Sequence, residues 1–399
     1  MRDSLILNLN SILLLLIAFQ GLIFAILLIF KRQPTRSINI HLVIMLLAIT
    51  AETLHQFLFK TQLIYQVSYL AGFVLPLDSL VGIALYWYVR TIIHPEKDNS
   101  IKRVLGHYSI FFVCFILSFP FWSLGTEAKL TMIDTGVIPT DLSVWIYYPT
   151  LSQIPIKVIS FISYLVLSIK MLVAHKKRIK DIFAYEEKIT LNWITYLLAL
   201  FGFGLLQGVS ILLFFQEFAD QTQFMGYMGL FSAVAIFYLG TMGLLQPQVY
   251  LRTEQDYLAQ AATSEQEKPN NSKPEKYQKS ALTMEDMQRI ANKLDKAMLE
   301  KRYYLDSDLT MPQLADYLSV SSNYLSQTVN SIHRVSFFEY INRLRVEYAK
   351  QQLVNPAKSQ DSIVDIAADA AFNSRSAFYS AFKKHSGMTP AQYRNQQAA

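Results

Sequence analysis

The sequence predicts an all-α protein in two parts: a seven-helix transmembrane bundle followed by a cytoplasmic domain with two helix-turn-helix units. Three observations predict it. Apolar residues make up 52% and aromatic residues 13% of the 399 positions, and the charge is gathered into short clusters and the C-terminal third. Those clusters cut the first part of the chain into seven apolar stretches. From Thr283 onward charge returns, and a pattern of two short helices around a serine- or asparagine-bearing turn occurs twice.

The stretches run over about Ile12–Phe30, Ile38–Phe59, Val67–Val89, Tyr108–Leu124, Tyr148–Val173, Leu191–Phe215 and Met225–Leu245. Each is long enough to cross about 30 Å of hydrocarbon. The first is not expected to be a cleaved signal. Its apolar run is too long, no small-residue cleavage site follows, and Lys31-Arg32 stands directly behind it. Basic residues fall after the first, third and fifth stretches: Lys31, Arg32 and Arg36; Arg90, Lys97, Lys102 and Arg103; Lys176, Lys177, Arg178, Lys180 and Lys188. The opposite loops hold only Lys60 and Lys129, with Arg2 on the N-terminal tail. The positive-inside rule then sets the N-terminus outside and the C-terminus in the cytoplasm of a multi-pass inner-membrane protein.

Ionisable residues inside apolar stretches are costly and mark where chemistry or signalling resides. Glu52 and His55 lie one turn apart on the second stretch, Asp78 on the third and Lys157 on the fifth. Counted from the outer ends at 1.5 Å per residue, Glu52, Asp78 and Lys157 share a depth of roughly 10–16 Å. Two readings stand: a polar pocket, open to the outside, for a small-molecule or membrane-derived signal, or a structural network holding the bundle together. Glu52-x-x-His55 is half of a carboxylate-bridged di-metal pattern, but such bundles need a second copy and further glutamates, so no metal is expected. Gly204-x-x-x-Gly208 permits close helix approach, expected within the chain. The single Cys114 reads as a small buried hydrophobe. Trp122, Trp145, Tyr147 and Tyr148 suit an interfacial belt.

The domains are therefore 1–250, a bundle; 251–282, a linker too polar to order itself; and 283–399. An amphipathic helix is expected from Thr283, aligning Met287, Ile290, Leu294 and Met298, to pack on or pair the units that follow.

In the first unit Thr310 sits at an N-cap position with Gln313 completing a capping box, and Pro312 is tolerated in the first turn. Leu314, Ala315 and Leu318 give the apolar face. Ser319-Val320-Ser321 gives the turn, and Leu325 and Val329 face inward from a second helix. Phe337, Ile341, Leu344, Tyr348 and Leu353 keep helical spacing, so one long helix is expected to join the units. In the second unit Ile363, Ile366 and Ala367 precede the turn Ala371-Phe372-Asn373-Ser374, and Phe378 and Phe382 face inward. The faces left over would meet a DNA major groove. They are Asn323, Ser326 and Gln327 on the first unit, and Arg375, Ser376, Tyr379 and Ser380 on the second, with Arg375 suited to guanine. Lys383 and Lys384 read as phosphate contacts. Acidic residues nearly balance basic ones from Thr283 onward, so affinity would rest on local placement.

The stretch Ile363 to Arg394, with Ile-Ala-Asp-Ala-Ala-Phe-Asn-Ser-Arg-Ser-Ala-Phe and Phe-Lys-Lys-His-Ser-Gly-Met-Thr-Pro-Ala-Gln-Tyr-Arg, resembles the DNA-binding domain of the AraC/XylS family of transcription regulators. The resemblance covers Leu305 to Asn395 and implies base reading by the outward residues just named. One position departs: the family's glycine before the turn phenylalanine is Ala371 here. If that backbone is left-handed, alanine costs about 1 kcal/mol. The expected function is a membrane-bound one-component transcription regulator acting on double-stranded promoter DNA, bacterial by resemblance. It would need no cofactor, and a second copy of the chain is a candidate partner. The alternatives are a passive anchor for the same regulator and an intramembrane enzyme with a regulatory tail. No Ser/His or His-Glu-x-x-His arrangement in the apolar stretches favours the enzyme.

Overall fold

The computed structural model describes residues 7–31, 36–94, 100–135, 144–185, 191–218, 221–245 and 282–398. Helices and their turns account for these residues, apart from one isolated β-bridge. Contacts divide the chain into two compact units, Met1–Val173 with Asn192–Pro247, and Ala174–Leu191 with Gln248–Ala399. The polar segment expected as a linker lies almost wholly outside the described residues.

In the first unit α1 (Leu9–Phe30) begins at a capping box, in which Asn8 Oδ1 accepts from Ser11 N–H at 2.9 Å and Ser11 Oγ accepts from Asn8 N–H at 3.0 Å. Its small residues Ala18, Gly21 and Ala25 are buried, while Leu13, Leu16, Phe19 and Ile26 are exposed. That arrangement, small residues at the helix contacts and large apolar ones outside, suits a hydrocarbon surrounding rather than water. α2 (Arg36–Lys60), α3 (Asp78–Ile93), α4 (Ile101–Trp122), α5 (Thr126–Thr135), α6 (Val144–Ile182), α7 (Asn192–Phe218) and α8 (Gln221–Leu245) follow. Five helices among the described residues are long and apolar enough to cross a membrane: Leu9–Phe30, Asn39–Lys60, Ile101–Trp122, Val144–Ile182 and Asn192–Ser210. Gly229–Leu245, within α8, is a further apolar helical stretch.

The third apolar stretch, expected as a continuous helix over Val67–Val89, is not one. Residues 63–65 and 68–70 form short 3-10 turns, and α3 starts only at Asp78. Gly72 and Pro76 explain the break. Gly72 takes φ +74°, and a Cβ there would stand 2.4 Å from the Phe121 ring, so only glycine serves both conditions. Trp122 Nε1 donates to the Gly72 carbonyl at 2.9 Å, fixing the turn against α4. Asp78 thus lies in the first turn of a helix rather than mid-span, where the unpaired N–H groups favour a carboxylate. Gly204 lets the Phe231 ring approach, at 2.4 Å from where a Cβ would sit, whereas Gly208 has no atom within 4 Å. The expected close approach is therefore made inside the chain and by one glycine of the pair. Cys114 is free and buried. Trp145 and Tyr148 are exposed, and the side chain of Tyr147 lies outside the described residues.

In the second unit Thr283 caps α9 (Met284–Lys301), whose Ile290, Leu294 and Met298 are buried with the core of the first helix pair. That pair is α10 (Met311–Tyr317) and α11 (Ser322–Thr328). Its capping box forms as the spacing predicts, with Thr310 N–H donating to Gln313 Oε1 at 2.8 Å. The long α12 (Phe337–Leu353) leads to the second pair, α13 (Ile363–Asp369) and α14 (Arg375–Ser386), and to α15 (Pro390–Ala398). Phe378 and Phe382 are fully buried against Val346, Ala349, Ile366 and Ala367.

The two pairs turn in the same way. Val320 N–H reaches back to the Ala315 carbonyl and Phe372 N–H to the Ala367 carbonyl, each at 3.0 Å. The residue before each donor is left-handed, Ser319 at φ +53° and Ala371 at φ +59°. Alanine therefore carries the Cβ strain anticipated at this position. Ala371→Gly is expected to raise the stability of the second unit by roughly 0.5–1 kcal/mol, the relief of that strain less the extra entropy glycine brings to the unfolded chain. Thermal unfolding of the variant checks it; an unchanged or lower midpoint would show that the turn carries no strain.

Arg345, in the middle of α12, is 1% exposed. Its Nε donates to the Tyr304 carbonyl at 2.7 Å and its Nη2 to the Asp306 carbonyl at 2.7 Å. A planar fork of donors fits such a set of carbonyls better than a point charge.

Candidate functional site

The outward face of α11 presents Asn323 and Gln327, both exposed, with Ser326 half-buried beside them. Gln327 Nε2 lies 3.5 Å from Asn323 Oδ1, so the two amides already share one surface. Leu325, Thr328 and Val329 face the core. Near the start of α14 Arg375, Ser376 and Ser380 are exposed, while Tyr379 is half-buried. Arg375 lies over the Tyr379 ring at 5.1 Å and its Nη2 is 3.5 Å from the Tyr379 hydroxyl. That stacking pre-orients a guanidinium that leaves its other donors open. Ser374 caps α14 by accepting from Ala377 N–H at 3.2 Å, which places Arg375 and Ser376 in its first turn.

The two lysines expected at phosphates differ. Lys383 is exposed. Lys384 Nζ lies 2.5 Å from Glu339 Oε2, and His385 Nε2 lies 2.9 Å from Glu339 Oε1. Burial pushes the His385 imidazole below its usual range, with the Glu339 carboxylate opposing the shift. Lys384 thus ties α14 to the start of α12, a role the sequence did not suggest, because its partner is 45 residues away.

In the first unit the structure brings Asp78 and Lys157 together, with Nζ 3.5 Å from Oδ2. The Lys157 side chain is 17% exposed and that of Asp78 53% exposed. Glu52 is hydrogen-bonded by the Gln56 side chain and lies within electrostatic reach of both Asp78 and Lys157. His55 faces elsewhere, packed on the rings of Phe59 at 4.7 Å and Phe73 at 5.5 Å. Two residues missed from sequence join this layer. Gln153 stands one turn before Lys157 on α6, 1% exposed, with its Oε1 3.4 Å from Ser118 Oγ. Its Nε2, together with Gln56 Oε1, is buried without a hydrogen-bond partner. The i, i+4 spacings Glu52–Gln56 and Gln153–Lys157 were the available signal. A second network also escaped the sequence, since its members lie on four helices: His41 Nδ1 is 3.1 Å from the Tyr108 hydroxyl and His107 Nδ1 is 2.9 Å from the Tyr164 hydroxyl, around the fully buried Trp87.

Residues 314–396 match the family model described as a helix-turn-helix domain. This part of the chain is similar to helix-turn-helix domains of transcription regulators. The chain is 35% identical over 89 residues to the melibiose operon regulatory protein of Escherichia coli K12, a match covering 22% of this chain and 28% of that protein. It is 31% identical over 96 residues to an uncharacterized HTH-type transcriptional regulator of Staphylococcus aureus COL, covering 24% of this chain and 12% of that one. Among solved structures, the C-terminal domain of AraT, a response regulator from Geobacillus stearothermophilus, matches at 29% identity over 29% of this chain and 88% of that chain, with a TM-score of 0.23. The chain thus spans under a third of the length of the curated relatives it matches.

Proposed function

We propose that this protein is a membrane-bound one-component transcription regulator that binds promoter DNA through its two helix pairs, α10–α11 and α13–α14. The observation that carries the reading is the union, in one chain, of an AraC-type helix-turn-helix domain with five helices long and apolar enough to cross a membrane. α11 and α14 are the recognition helices. Asn323, Ser326 and Gln327 read one stretch of major groove, and Arg375, Ser376, Tyr379 and Ser380 the next. Lys383 meets phosphate, and Lys384 joins it by leaving Glu339. The protein is a regulator and not an enzyme. Its bundle makes seven passes of the inner membrane, with α3 and α8 as the two added to those five, N-terminus outside and DNA-binding domain in the cytoplasm. The polar layer around Glu52, Asp78 and Lys157, which His55 does not join, is where a small signal acts.

Full-length protein in membranes should retain fragments of its target promoter with strong salt dependence. Arg375→Ala should weaken this binding by about 1–3 kcal/mol and relax preference at one base pair. Equal weakening on every sequence would make Arg375 a phosphate contact. No retention of any fragment, the promoter of its own gene included, would sink the proposal. Reporters active only outside the cytoplasm, fused after Thr126 or Glu217, should give signal, and those after Lys97, Lys180 or Ala262 none. Signal from the Ala262 fusion would place the helix pairs on the wrong side of the membrane.

A further inference from the structure

The segment after α6 is basic, Lys176-Lys-Arg-Ile-Lys180, and ends in an apolar triplet, Phe183-Ala-Tyr185. In a connection between apolar helices such a triplet would be out of place if water surrounded it. All three residues are buried, Ala184 at 0% exposure, and Ala184 belongs to the core of the first helix pair together with Leu309, Leu314 and Leu325. The backbone contact is specific. Phe183 pairs with Thr310 in an antiparallel β-bridge, and Ala184 N–H donates to the Leu309 carbonyl at 3.2 Å. Arg345 Nη1 donates to the Ala184 carbonyl at 3.1 Å. Both polar backbone groups of Ala184 are therefore satisfied by the DNA-binding unit, and the buried guanidinium uses this segment as its third acceptor. Lys180 adds a contact over the Phe338 ring at 5.9 Å.

The site of attachment is the N-cap of α10. Thr310 is fully buried, and its side chain and N–H both engage Gln313. The exposed residues of α11, Asn323 and Gln327, remain uncovered, so the contact does not mask the surface proposed to read DNA. α6 is one helix from Val144 to Ile182, carrying Lys157 of the polar layer and ending one residue before Phe183.

We infer that residues 183–185 are a docking strand for the first helix pair, and that a change at the polar layer reaches the DNA-binding unit along α6 through the Ala184–Leu309 and Ala184–Arg345 contacts. The inference rests on the regulator reading above for its consequence, though not for the contact. Docking supports DNA binding; release of the strand leaves a buried carbonyl and one guanidinium N–H without partners, loosening α10.

The test uses the full chain in membranes with Cys114→Ser as background. Phe183→Cys with Thr310→Cys should form an intrachain disulfide under a mild oxidant, because bridged antiparallel residues lie about 4.5–5.5 Å apart at Cα, inside disulfide range. Adding Ala184→Glu, which forces a longer, charged side chain into a position with no exposed surface among Leu309, Leu314 and Leu325, should abolish that cross-link. Ala184→Glu alone should weaken promoter binding at least about tenfold, while the cross-linked form keeps it. Absence of the disulfide in a chain that still binds its promoter overturns the docking and leaves the regulator reading intact. A disulfide in a chain that binds no promoter does the reverse. Unchanged promoter affinity in Ala184→Glu, with the cross-link lost, overturns the coupling.

Discussion

Replacing Arg345 with leucine is expected to unfold the first helix pair. Burial pushes the guanidinium down to about 10, so it remains a cation at neutral pH, held by carbonyls rather than by a salt bridge. Three carbonyls from Tyr304, Asp306 and Ala184 converge on it at 2.7 to 3.1 Å. Leucine supplies the volume but no donor. Each carbonyl then loses its donor at about 1–3 kcal/mol, least for the two that are only part-buried, so the total is on the order of 3–9 kcal/mol, a large share of the roughly 5–15 kcal/mol by which domains are stable. Arg345→Lys keeps the charge, but one ammonium cannot span the three acceptors of a planar fork, and most of the loss should persist. Limited proteolysis of the second unit and its thermal unfolding measure the effect. A midpoint within a few degrees of the parent would mean that water replaces the guanidinium and that Arg345 organises nothing.

The second unit was legible in the sequence because its rules are local. A capping box needs only Thr310 and Gln313 three apart, and helical spacing alone separates buried Leu314, Leu325, Phe378 and Phe382 from exposed Asn323 and Arg375. The left-handed turn at Ala371 was readable only through a resemblance, since alanine itself carries no turn signal. The apolar stretches were readable too, yet the stretch at Val67 misled. Its hydropathy outweighed Gly72 and Pro76, and the chain turns there before α3 begins. Depth counting suggested one layer for Glu52, Asp78 and Lys157 without giving their facing directions. The aromatic packing of His55 and the polar neighbours on other helices depend on helix rotation, which a count along the chain does not contain. Least legible was the attachment of Ala184 to Leu309 and Arg345. It joins residues 125 and more positions apart, and an Ala in a basic loop has no pattern to betray it.

Lys157→Met is expected to lower the amount of folded protein in the membrane several-fold. The substitution leaves Glu52 and Asp78 facing one another without the cation that now sits 3.5 Å from Asp78. Removing one partner of a pair set among apolar helices costs more than removing both, because the remaining charge keeps its desolvation and loses its compensation. Asp78→Asn combined with Lys157→Met should therefore recover much of the abundance, although Asp78 is half-exposed and its own loss should be felt less than that of the less exposed Lys157. Abundance responds to 1–2 kcal/mol by several-fold changes, so immunodetection in isolated membranes is sensitive enough. Glu52 separates structure from signalling. It has no lysine partner at bonding distance among the described residues, only Gln56, so Glu52→Gln should leave abundance near normal. If the layer is where a signal acts, that same variant should alter transcription from the target promoter, fixing it in one state whatever the growth condition. Normal abundance with unaltered transcription in Glu52→Gln, Asp78→Asn and Lys157→Met alike would strip the layer of both roles, and the bundle would then be an anchor and nothing more.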